Sequence, residues 1–110
     1  MKIYTQALEY DQDDVEANFN LAGIYLQRQE LDEALKHFKA AVRKDELAGY
    51  PEVKILFAQQ FAKAYFNIGL IFDHHNDAQQ ALEHYEKAYQ KIVELPSAHS
   101  NPTSLSDPTN

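Results

Sequence analysis

Five histidines and seventeen carboxylates are the residues of this 110-residue chain that could do acid–base or metal chemistry. Their spacing argues for neither. His74 and His75 are adjacent, so on a helix they point about 100° apart and cannot close on one metal ion. His37 and His84 fall at equivalent places in two similar stretches, which predicts a repeated, solvated surface position. The carboxylate pairs Glu30/Glu33 and Glu83/Glu86 sit on polar helix faces and read as solvated charge, not as a general acid and base. There is no cysteine, so neither thiolate chemistry nor a disulfide is available. No glycine-rich phosphate loop, nucleophile elbow or metal-ligand spacing occurs. The expectation is a protein that is not an enzyme and needs no cofactor and no metal.

The elements that carry these residues are helical hairpins. Between Val15 and Glu46, Leu21, Ala22 and Tyr25 share one face of a first helix, and Ala34, Phe38 and Ala41 share one face of a second. The alanines let two backbones approach, and the bulky residues fill the space on either side. The link from Arg28 to Leu31 is short, so the two helices must be antiparallel neighbours. The pattern recurs from Ala62: Ile68, Gly69 and Phe72 repeat the first run, and Ala81, Tyr85 and Ala88 the second. In both copies the first aromatic precedes the first alanine by nine residues (Tyr25 to Ala34, Phe72 to Ala81). Tyr65 stands where the first copy has Asn18.

These runs, L-A-x-x-Y followed by A-x-x-x-F-x-x-A, resemble the tetratricopeptide repeat (TPR) family, whose unit is a two-helix hairpin of 34 residues. The resemblance implies an all-α antiparallel solenoid of about five helices and a non-catalytic protein–protein interaction module, an adaptor or scaffold. This chain departs from the family at the turns, where Gln29 and Asn76 replace the preferred glycine. In the family, first helices line a concave groove that binds peptides. The matching positions here are Phe19, Asn20 and Gly23 in one repeat and Lys63, Phe66, Asn67 and Leu70 in the next. Exposed apolar groups in a groove call for a cover. A partner peptide or helix could supply it, with Asn20 and Asn67 hydrogen-bonding its backbone; the chain's own segments could equally fill the space. Chaperone-binding members carry a lysine, asparagine and arginine clamp for a carboxylate. Phe19 and Gly23 occupy two of those places, so this chain matches that clamp poorly.

The period is broken once. Val15 and Ala62 are equivalent and 47 residues apart, which puts 13 residues beyond a 34-residue period. In LAGYP, Gly49 can end one helix and Pro51 begin the next. Nothing from Glu52 to Gln60 interrupts a helix, so the sequence predicts one elongated helix over Pro51–His74, roughly 35 Å long. It carries Val53, Ile55, Leu56, Phe57 and Phe61 on two apolar stripes. With Tyr89 and Ile92 of the last helix, these are candidate self-association residues for a homodimer, which would also use the half repeat at the N-terminus.

The domain reading is a half repeat over 1–12, in which Tyr4 and Ala7 match Phe38 and Ala41, then repeats over 15–48 and 51–95. Together they make a TPR domain over 1–96, with a disordered tail over 97–110. A formal charge of −7 argues against nucleic acid. No signal-like or membrane-spanning apolar run is present, which suits a cytoplasmic protein without membrane insertion.

Overall fold

The computed structural model describes residues 2–47 and 49–93. The proposed tail over 97–110 lies outside them. Among the described residues there are seven helices and no strand: α1 (Lys2–Tyr10), α2 (Val15–Gln27), α3 (Leu31–Ala41), α4 (Arg43–Glu46), α5 (Pro51–Leu56), α6 (Ala58–His74) and α7 (Ala78–Val93). The architecture is an all-α helical solenoid. Two hairpins, α2–α3 and α6–α7, stack through α3 against α6, and α1 packs on α2.

Each hairpin closes in the same way. Asp14 caps α2, its carboxylate accepting from the Ala17 N–H at 2.8 Å. At the far end Glu30 N–H donates to Tyr25 O and Gln29 N–H to Leu26 O, both at 2.9 Å. The second hairpin repeats the pair from Asp77 to Phe72 at 2.8 Å and from Asn76 to Asp73 at 3.0 Å. This six-to-one closure needs a left-handed residue. Gln29 (φ 62°) and Asn76 (φ 64°) supply it. A backbone that glycine would adopt freely is here held by residues that have a Cβ.

The expected interlocking residues lie where the hairpins are tightest. Leu21, Ala22, Ala34, Phe38, Ala41, Ile68, Gly69, Ala81 and Ala88 are buried, and Tyr25, Phe72 and Tyr85 are half-buried. At Gly69 a Cβ would stand 2.6 Å from the Tyr85 ring and 3.1 Å from the Ala81 carbonyl. The α6–α7 spacing therefore depends on the missing methyl group.

Two helical stretches are each interrupted at one residue: the second helix of the first repeat divides at Val42 (φ −95°, ψ 4°), and the elongated helix expected over Pro51–His74 divides at Phe57 (φ −108°, ψ 24°). These breaks account for seven helices where about five were expected. No local breaker causes them. Val42 is buried, and Val53 and Phe57 turn inward onto the core. Beyond Val42, α4 turns so that Asp45 meets α6. Lys54 of α5 donates to the Asp45 carbonyl and lies 3.6 Å from its carboxylate, which draws α5 back against α4. Gly49 between them is left-handed (φ 99°), and Pro51 opens α5, as their types suggest.

Phe61 is a correction to the sequence reading. It is fully buried among Val15, Phe38 and Ile68 and belongs to the core, not to a self-association surface. Val53 and Phe57 are half-buried against the same cluster. Of those five residues Ile55 and Leu56 face outward, each 74% exposed.

Candidate protein-docking groove

The groove positions expected from the sequence fall into three neighbouring hollows. Phe19, Lys63, Phe66 and Asn67 line the first, an apolar groove of about 430 Å³ across the open face of α6. Asn20 and Gly23 line the second, of about 260 Å³, which Phe19 and Asn67 also border. Leu70 lines the third, of about 330 Å³, with Leu26, Leu31 and Ile71. Phe19 is only half-buried and meets Phe38 edge-on at 6.1 Å, which fixes its ring as a wall. A Cβ at Gly23 would meet nothing within 4 Å, so that floor is open. Phe66 is 49% exposed and leans on Tyr85, ring centres 5.6 Å apart.

The far wall of the main groove was not anticipated. It is made by Ala88 and Ile92 of α7, and its upper end by Gln59 and Ala62. Family analogy places the groove on first helices, whereas the sequence reading sets Ile92 with Tyr89 on an outer face of the last helix, among the self-association residues. The late turns of α7 run back alongside the start of α6 and bring Ile92 to the same hollow. That follows from antiparallel pairing, but it depends on where α6 begins.

Behind the groove the histidines are not solvated, contrary to expectation. His37 is half-buried and His84 is buried. His37 stacks on Tyr25 with ring centres 5.5 Å apart, and His84 stacks on Phe72 at 5.5 Å. The same aromatic–imidazole pair thus recurs in both hairpins. His37 Nδ1 donates to Asn18 Oδ1 at 2.9 Å, while Asn18 Nδ2 donates to the carbonyls of Gln12 and Asp14. His84 Nδ1 donates to Gln80 O at 2.8 Å. With both rings engaged in packing, their role is structural. Among the described residues no three His, Cys, Asp or Glu side chains gather as a metal site.

Burial holds the His37 pKa below the ordinary value of 6.5; the nearby Lys36 charge acts in the same direction and Glu33 opposes it. The folded state therefore favours neutral imidazole. Its contribution is complete above the unfolded pKa and is lost as pH falls below about 6.5. Urea midpoints measured from pH 7.5 to pH 5 should drop more steeply for the natural chain than for His37→Gln, which keeps a donor for Asn18 but cannot titrate. Parallel curves would remove His37 from the pH dependence.

On the side of the stack away from the groove, Asp45 joins four helices. Its carboxylate is nearly buried and accepts from Tyr65 Oη at 2.6 Å. Lys91 Nζ lies 2.5 Å from Oδ1 but off-line for a directed bond, so charge rather than geometry holds that oxygen. Burial, and then the bond to Asp45, raise the Tyr65 pKa far above its usual value, so the phenol is a permanent donor. Tyr65 and Asn18 are equivalent in the two hairpins, and each ties its hairpin to a neighbouring segment.

Among the described residues no helix is long and apolar enough to cross a membrane. No curated protein matches the chain. Tetratricopeptide repeat models match it twice, over residues 2–51 and residues 62–90. The first match takes in α1 through α4, and the second most of α6 and α7. The interval of 52–61 holds all but the first residue of α5 and its junction with α6, where the repeat period is broken. Such repeats are interaction modules for other proteins and are typically not catalytic. With two stacked hairpins that close identically and match the repeat twice, the chain belongs to the tetratricopeptide repeat family.

Proposed function

We propose that the chain is a non-catalytic docking module whose α6 groove receives an apolar side chain from a segment of another protein. One observation carries the reading. Phe66, a large aromatic, stands half-exposed in a hollow bounded by Phe19 and Ile92, with the polar Asn67 at its edge. An apolar hollow with a few polar groups at its rim is the usual form of a recognition site. In this reading Asn67, and Asn20 in the adjoining hollow, bond the backbone of the incoming segment.

The test begins with proteins captured by the purified chain from its native cells and identified by mass spectrometry. Affinity for a captured protein is then compared with that of Phe66→Ala. Loss of the anchor should cost about 2 kcal/mol, roughly a thirtyfold rise in Kd. Unchanged affinity in a variant of unchanged helicity would show that the groove is not the contact.

Self-association is a second reading, supported by Ile55 and Leu56, adjacent and each 74% exposed on α5. A homodimer held there would dissociate in the Ile55→Gln/Leu56→Gln variant. A monomer at micromolar concentration, seen by sedimentation, would dismiss it.

A further inference from the structure

Along α7 four apolar residues keep a regular rhythm, and Val93, 39% exposed, lies next to the last of them. Leu82, Tyr85, Tyr89 and Ile92 follow one another at three, four and three residues. Leu82 is 60% exposed, Tyr89 66% and Ile92 50%, and Tyr85 is half-buried beside Phe66. This is the spacing at which one helix presents a seam to another, each side chain fitting between residues of the facing helix. Ala81, His84 and Ala88 of α7 are buried, and Tyr85 and Ile92 also reach α6 at Gly69, Phe66 and the groove, so the seam runs along the edge of the α6 contact and continues outward through Leu82 and Tyr89.

The charges beside the seam are distributed by sign. The lysines of α7 turn away from it: Lys87 lies 3.7 Å from Glu46, and Lys91 meets Asp45. Glu86 lines a surface hollow with Tyr85 and Tyr89, and Glu83 is exposed one turn earlier. Asp73 of α6 lies close enough for its charge to raise the Tyr85 pKa, though burial is the larger cause. The seam is thus apolar along its line and acidic on the side of Glu86, while Lys63 of α6 borders its end at Phe66 and Ile92.

We propose that this seam takes one amphipathic helix of another protein, with apolar residues at alternating three and four spacing and lysine or arginine beside them. The proposal extends the docking reading above, because Ile92 and Phe66 border both the seam and the groove. A second copy of this chain fits less well. It would bring together two bodies of net charge −7 each.

The probe is a fluorescein-labelled designed peptide of about three heptads with leucine at the seam positions and lysine at the flanks. Its counterparts carry glutamate at the flanks, or the same leucines in scrambled order. By anisotropy, the lysine-flanked peptide should bind at least about tenfold tighter than either, and the lead over the glutamate form should shrink between about 50 and about 300 mM salt. Leu82→Gln/Tyr89→Gln should weaken it at least about tenfold while helicity and Tm stay unchanged, since both residues are exposed. Equal binding of the three peptides, or indifference to the double substitution, would overturn the proposal. So would a micromolar dimer that Leu82→Gln/Tyr89→Gln converts to monomer, since a second copy would then occupy the seam. Phe19 borders the groove alone. If Phe19→Ala weakens a captured natural partner while the Leu82/Tyr89 variant binds both that partner and the peptide normally, the groove stands and the seam falls.

Discussion

Phe61→Ala is expected to destabilise the fold by about 3–5 kcal/mol, the usual cost of emptying an aromatic-sized site in a packed core. Phe61 has no exposed surface and stands where the start of α6 meets both hairpins. Lys91 Nζ lies 5.8 Å from the centre of its ring, so the substitution also strips a cover from the Asp45 cluster. A domain of this length has roughly 5–15 kcal/mol in total, which places the variant near unfolding at ambient temperature. Urea denaturation followed by far-ultraviolet circular dichroism measures it directly. A loss under about 1 kcal/mol would mean that Phe61 is not a core residue, and would return it to the surface role that its sequence position suggested.

Asp45→Ala should cost about 2–4 kcal/mol. The substitution leaves the Tyr65 hydroxyl buried without its acceptor and Lys91 without its counter-charge. Part of the charge term is softened by water, because Lys54 is 38% exposed. Asp45→Asn should recover some of the loss by still accepting from Tyr65, and Tyr65→Phe should cost less than Asp45→Ala, since the two lysines keep their partner. A double-mutant cycle on Asp45 and Tyr65 gives their coupling. Additive losses would show that the short hydroxyl–carboxylate contact contributes nothing beyond packing.

The packing was legible in the sequence because the alanine and glycine positions report backbone approach directly. A methyl-sized gap at Ala22, Ala34, Gly69 and Ala81 has one meaning when bulky residues flank it at helical spacing. The breaks at Val42 and Phe57 were not legible. Valine and phenylalanine do not end helices on their own; ties through Asp45 and inward packing bend the chain there. The same bend decides which residues of Pro51–His74 face out, so Leu56 separates from Phe61 although helical spacing puts both on one stripe. Ile92 joined the groove through the pairing of α6 with α7, which depends on the same bend. The histidines carried an overlooked signal: each follows an aromatic by twelve residues, Tyr25 to His37 and Phe72 to His84. A polar residue that repeats in step with a ring across a hairpin is placed to stack on it, and both histidines do.

The connector between α4 and α5 has one further consequence. Leu47, Gly49 and Tyr50 are all exposed, and the extra stretch of chain leaves α3 resting on α6. How far apart successive hairpins lie along the polypeptide is therefore independent of how they lie in space. A reporter peptide or a cleavage tag spliced beside Gly49 would hang outside the stack, a ready handle for immobilising the protein with its grooved side unobstructed.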